Sequence, residues 1–222
     1  MPHPDAAAWR RVLSAIATSE SMEHHVLQPL LLSYSSHHEA VRVLTQHSAD
    51  EQRHAGLLTG YLRESLSFTK MKPTKSDQIF YHVLLPSIRF LVKKRPLLGF
   101  SLLYFYELFS VQLYAQLRKK AEKQKLVELE SLFRQIEKDE FRHIESMKTF
   151  IQQYSTDRIH RVWLSAFLWL FRLDIHMGKY ALYNRSLRKQ FRRLGIDPDT
   201  VINKSSWRAL TQCRDLLRRP MQ

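Results

Sequence analysis

Asp50-Glu51-Gln52-Arg53-His54 and Asp139-Glu140-Phe141-Arg142-His143 spell one pattern twice, Asp-Glu-x-Arg-His. The neighbours of both copies are helix formers. A Glu and a His three residues apart project from one face of a helix, one turn above each other. A carboxylate and an imidazole side by side can hold one metal ion, and two such pairs on two helices can hold two. The surrounding heptad lines decide between this and a solvated charged face. Around the first copy they read Leu44, Glu51, Leu58 and His47, His54, Tyr61. Around the second they read Leu126, Phe133, Glu140, Met147, Tyr154 and Leu129, Ile136, His143, Phe150. Both motifs fall on apolar stripes. An ionised carboxylate buried among Leu and Phe is costly unless something pairs with it, so the pattern asks for cations in the core.

It also asks for more carboxylates. Glu107 lies on the line Phe100, Glu107, Tyr114, and is 33 residues before Glu140. The midpoint falls in the polar run 119–125, so a helical hairpin folded there brings Glu107 and Glu140 level. Glu20 precedes Glu51 by 31 residues, with a midpoint at the turn-like Tyr34-Ser35-Ser36-His37. Glu23, on the line Trp9, Ile16, Glu23, Leu30, is an alternative to Glu20, which the midpoint favours. The chain thus reads as two similar hairpins, each Glu…Glu-x-x-His. An all-α, ferritin-like four-helix bundle places one Glu on each of two helices and Glu-x-x-His on each of the other two. Four carboxylates against two divalent ions make a formally neutral site, the state least costly in a low-dielectric core.

Residues 8–154 resemble the ferritin-like carboxylate-bridged di-iron proteins. Asp-Glu-x-Arg-His in both copies is most similar to their oxygen-activating branch: hydroxylase subunits of bacterial multicomponent monooxygenases and, more loosely, acyl-carrier-protein desaturases and the ribonucleotide reductase small subunit. The resemblance implies Glu20, Glu51, His54, Glu107, Glu140 and His143 as ligands, with Glu51 and Glu140 bridging two irons or a manganese–iron pair. It implies a di-iron oxidoreductase of oxygenase type. Such an enzyme uses O₂ and an external electron-donor protein to hydroxylate, desaturate or N-oxygenate an organic substrate, which an acidic carrier protein could present. Asp50 and Asp139 are within reach of a ligating imidazole's second nitrogen, on the same helix or across, where they would fix its tautomer. Arg53 and Arg142 would anchor a carboxylate by a bidentate pair. Tyr104 and Phe100, one and two turns from Glu107, would line the substrate pocket, and Tyr104 is a candidate radical carrier. His47, four residues before Glu51, is an additional candidate ligand. The di-iron arylamine N-oxygenases are similar in having a third histidine, but in the other hairpin, where this chain has Ile136. The competing reading of His47 is a buried histidine bonded to a carboxylate.

Length and composition bound the rest. The chain has 222 residues, 44% hydrophobic, enough for a full core, with five Gly and long helical periodicity. The single Cys213 excludes a disulfide framework, a cysteine zinc site and a fused rubredoxin. Met1-Pro2-His3-Pro4-Asp5 lacks the charged and apolar regions of a signal peptide, and no run reaches 18 apolar residues. A cytoplasmic protein is expected. Residues 1–154 are read as the di-metal bundle, with a crossover at 66–95 carrying a short amphipathic helix broken at Pro86. Residues 155–222 are read as a basic helical extension packed on it, with a fifth helix over 157–193 and a last one bearing Trp207, Leu210 and Leu217. This extension holds 14 Lys and Arg against 5 Asp, most of the net +14. Its partners could be an acidic carrier protein or an anionic membrane surface, to which the protein would bind peripherally; nucleic acid fits less well. The oligomeric state is open, and a dimer is compatible. Two other functions compete: a ferritin- or rubrerythrin-like ferroxidase or peroxide scavenger, and a basic helical binding module with a vestigial site. The positive charge argues against an iron-storage cage, and the full ligand set argues against the vestigial site.

Overall fold

A computed structural model describes residues 5–68, 85–154 and 185–218, which form seven helices and no strand. They are α1 (Ala6–Ser33), α2 (His38–Glu64), α3 (Leu85–Lys94), α4 (Pro96–Lys123), α5 (Val127–Tyr154), α6 (Arg185–Arg193) and α7 (Pro198–Arg218). Around the bundle α1 packs on α2, α2 on α5, α5 on α4 and α4 on α1. The two hairpins, α1–α2 and α4–α5, therefore lie side by side. Their Glu-x-x-His helices are neighbours, and so are their single-Glu helices. This is the ferritin-like arrangement expected from the spacing.

Local chemistry sets the ends. Asp5 stands at the N-cap of α1 without a side-chain capping bond. Its carboxylate instead accepts from the Gln124 amide and lies 3.6 Å from Lys120 Nζ. Gln124 in turn accepts from Trp9 Nε1 at 2.8 Å, so the α4–α5 turn is tied to the start of α1. That turn closes through Lys125 at φ 58°, with Leu126 N–H on the Ala121 carbonyl at 3.0 Å. Helix α1 continues through Pro29 to Ser33. Pro86 does not break α3 but falls in its first turn, where a missing N–H leaves no intrahelical bond unmade. The expected apolar piece before it, 79–84, and most of the expected fifth helix, 157–184, lie outside the described residues. Gly195, at φ 72°, ends α6 in a left-handed turn that Ile196 N–H closes on the Phe191 carbonyl at 2.9 Å. Gly99 lets α4 approach α1 and α3: a Cβ there would sit 2.8 Å from side-chain carbons of Leu30 and Val92.

The core has two apolar halves. One gathers Leu27, Leu30, Leu44, Phe100, Leu103, Met147 and Phe150. The other gathers Trp9, Leu13, Leu58, Leu117, Phe133 and Ile136, and extends to Leu187 and Phe191 of α6, Leu194 of the turn after it and Val201 of α7. Between the halves, at mid-length of all four bundle helices, lies a buried polar layer: Glu20, His47, Glu51, His54, Glu107, Glu140 and His143. Trp207 is exposed, and the side chains of Leu210 and Leu217 lie outside the description. Among the described helices, α4 alone is long and apolar enough to cross a bilayer by length and composition, an exception to the reading of the bare sequence. Its apolar window is 78% buried inside the bundle, and it carries Glu107, as a core helix would.

Candidate metal centre

Seven of the eight candidate ligands fall into two overlapping groups. Glu20, Glu51, His54 and Glu140 form one; His47, Glu51, Glu107 and His143 form the other. Within each group one donor atom per residue lies within 4.8 Å of all the others. Glu51 belongs to both. Glu140 also spans them, with Oε1 3.4 Å from His54 Nδ1 and Oε2 3.6 Å from His143 Nδ1. Both carboxylates are placed where they could reach two ions. Glu23, the alternative to Glu20, is outside both groups but faces the second, with Oε1 3.9 Å from His47 Nε2.

Both histidines of the repeated motif turn Nδ1 toward the carboxylates. His54 Nδ1 is 3.2 Å from Glu20 Oε2, and His143 Nδ1 is 3.2 Å from Glu51 Oε1. Their Nε2 atoms point outward to aspartates, and the pairing is crossed. His54 donates to Asp139 at 3.3 Å, and His143 donates to Asp50 at 3.3 Å. Of the two pairings open from the spacing, the structure takes the one between helices. Each arginine then joins both aspartates: Arg53 Nη2 lies 2.8 Å from Asp50 and 2.6 Å from Asp139, and Arg142 Nη2 lies 2.6 Å from Asp50 and 2.8 Å from Asp139. The expected fork on one carboxylate is replaced by a single nitrogen shared between two, because α2 and α5 bring the aspartates together. Burial alone would raise Asp50, but the bonds from His143, Arg53 and Arg142 hold it well below the ordinary carboxylate range.

Several inner atoms are buried without a hydrogen-bond partner. Glu51 Oε1, Glu107 Oε1, Glu140 Oε1, His143 Nδ1 and both His47 nitrogens are buried with no aligned hydrogen bond. His47 Nε2 nevertheless sits 2.7 Å from Glu107 Oε1. Contact without hydrogen-bond alignment is what two donors aimed at one cation produce. Leaving so many buried polar atoms unsatisfied would be costly, about 1–3 kcal/mol each. The donor set of carboxylate and imidazole suits iron or manganese. Protonation follows the same logic. Burial, then the charges of Glu107 and Glu51, push Glu140 up to about 8. Burial and the Glu51 charge raise Glu20 well above its ordinary value. Burial opposes charge on His54, but the surrounding carboxylates of Glu140, Glu20 and Glu51 win and push it up to about 12.

Tyr104, one turn from Glu107, is buried and directs its hydroxyl to Gln212 Oε1 of α7 at 3.3 Å. The tyrosine that touches the ligand layer is Tyr114, whose hydroxyl donates to Glu20 Oε1. Tyr114 stands one heptad beyond Glu107, on the line already noted, but the line alone does not tell which end faces a carboxylate. His24 is half-buried with Nδ1 3.0 Å from Ser48 Oγ.

A four-helix bundle that buries two Glu-x-x-His pairs and two further glutamates around one shared carboxylate is a ferritin-like protein with a site fit for two metal ions. The family model for fatty acid desaturases matches residues 33–197, well over half of the chain, and the protein belongs to that family. No curated protein and no solved structure matches the chain. The pentapeptide alone pointed first to monooxygenase subunits; the longer match is to the desaturases.

Proposed function

We propose that the protein is a di-iron oxidase that desaturates or hydroxylates an acyl chain or similar organic substrate, using O₂ and electrons from a separate donor protein. The observation that supports it most is Glu51, shared by two buried four-donor groups in a member of the fatty acid desaturase family. The residues that would hold the metals are Glu20, Glu51, His54, Glu107, Glu140 and His143. Two irons held there would supply reductive activation of O₂. For desaturation the balance is one O₂, two hydrogens from the substrate, two external electrons and two protons, giving a double bond and two waters.

The chain's own residues organise this chemistry. The crossed Asp50 and Asp139 hold the imidazoles with Nδ1 inward. Leu44, Leu103 and Met147, one turn beyond His47, Glu107 and His143, are wholly buried and exclude water from that side. Their apolar half of the core suits a hydrocarbon substrate. The basic surface suits an acidic carrier protein delivering it, since exposed charges steer such encounters.

The test is turnover. Iron-loaded protein with a reducing system, O₂ and a saturated acyl thioester, free or on a carrier protein, is analysed by mass spectrometry. Loss of two hydrogens identifies a desaturase, and gain of one oxygen a hydroxylase. Iron oxidation with every acyl thioester unchanged would replace this reading with a ferroxidase. Glu51→Ala is the control that should abolish either product.

A further inference from the structure

The two hairpins repeat one ligand pattern, in which Glu20, Glu51 and His54 correspond to Glu107, Glu140 and His143. Three departures from this correspondence fall at or beside the ligand layer. His47 is four residues before Glu51, and the matching position before Glu140 is Ile136. Glu23 is three after Glu20, and its counterpart after Glu107 is Ser110. Tyr114 is seven after Glu107, and its counterpart after Glu20 is Leu27. Two of these departures enrich one metal position, and the third burdens the other.

The enriched position is bounded by Glu107 and His143. His47 Nε2 approaches Glu107 Oε1 at 2.7 Å and Glu51 Oε1 at 3.4 Å, and its ring stacks on His143 at 3.7 Å between centroids. The two imidazoles thus point donor nitrogens at the same carboxylates. His47 is 1% exposed, and neither of its nitrogens has an aligned hydrogen bond. Glu23 Oε1, also buried and unbonded, adds a further carboxylate at 3.9 Å from His47. At the other position Glu20 is already engaged on both oxygens, accepting from Tyr114 on Oε1 and approached by His54 on Oε2. A carboxylate that shares its electron density with a phenol is a weaker ligand.

Building on the dinuclear reading above, we propose that the two metal positions are inequivalent. The His47–Glu51–Glu107–His143 position is a two-imidazole site that fills first, with His47 as a seventh protein ligand. The Glu20–Glu51–His54–Glu140 position, with one imidazole, fills second. An added nitrogen donor raises affinity for first-row metals, so loading is ordered rather than statistical. This asymmetry is what assembly of two different metals in one site would require.

Mn(II) titration of the metal-free protein, followed by pulsed EPR, tests it. The expected result is two separable binding steps, with couplings from two imidazole nitrogens on the first Mn(II). His47→Ala should lower the first affinity by about ten-fold or more and leave one imidazole coupling, with helicity by circular dichroism unchanged. His47→Gln, closer in size, carries the same test if the alanine variant does not fold. Glu23→Gln should retain both couplings. A single imidazole coupling in the wild type, or two equal binding steps, would overturn the inequivalence while leaving a dinuclear site standing. Absence of tight Mn(II), Fe(II) and Co(II) binding would overturn both.

Discussion

Asp50 on α2 accepts from His143 on α5, its Oδ2 lying 3.3 Å from the imidazole Nε2. The metal-facing nitrogen of one motif is thereby set by the aspartate of the other. Asp50→Asn keeps the size but loses the charge that fixes the tautomer. Metal affinity should fall by about 10–100-fold with little change in helicity. Equal affinity in the variant and the wild type, measured by metal titration, would remove Asp50 from the positioning machinery.

Ligand substitutions should sort by position. Glu51→Ala removes a donor common to both groups and should leave little bound metal, whereas Glu107→Ala and Glu20→Ala should each retain about one ion. Glu23→Ala should retain both. Elemental analysis of the purified variants decides, and full occupancy in Glu51→Ala and Glu140→Ala together would end the dinuclear reading.

Tyr114→Phe removes the hydroxyl that bonds Glu20. A buried acceptor left without its donor costs about 1–3 kcal/mol. That loss should appear in denaturant unfolding of the metal-free protein and shrink once metal occupies the carboxylate. An identical penalty with and without metal would mean that Glu20 does not bind it.

Metal binding should be strongly pH-dependent. The free site holds protons that ligation must displace: Glu140, raised to about 8 by burial and by Glu107 and Glu51, and His54, raised to about 12 against the effect of burial. The free protein therefore binds more protons than the loaded one, so apparent affinity rises with pH. The rise should be steepest below pH 8, where Glu140 also carries its proton, and shallower above it. Isotherms between pH 6 and 9 measure the slope, and a flat profile contradicts this proton inventory.

Phe191 of α6 is buried with Trp9 and Phe133 of the bundle. If this packing supports the site's frame, Phe191→Ala should cost about 3–5 kcal/mol in a single cooperative unfolding transition. A separate early transition would instead make the C-terminal segment an independent unit.

The buried carboxylate and histidine cluster was legible in the sequence for a physical reason. Glu51, His54, Glu140 and His143 must share a helix face, so spacing alone exposes them, and the hairpin midpoints brought Glu20 and Glu107 level with them. Contacts between helices were not legible in the same way. Whether Asp50 serves His54 or His143 depends on the relative rotation of α2 and α5. Whether Tyr104 or Tyr114 reaches a carboxylate depends on which end of α4 faces Glu20. His47 and Glu23 show the same limit, since their heptad lines pointed inward but not toward one metal position. The arginines were misjudged because a fork needs one carboxylate, and the fold supplies two.

The crossed aspartates also bear on how the two halves depend on each other. Since each hairpin's histidine is held by the other's aspartate, neither half possesses a finished ligand pair of its own. Two copies of one such hairpin, related by a twofold axis, would close the same ring of Asp50, Arg53, Asp139 and Arg142. The bundle thus has the layout of a homodimer fused into one polypeptide. Ile136 opposite His47, Ser110 opposite Glu23 and Leu27 opposite Tyr114 are differences that two identical halves could not carry.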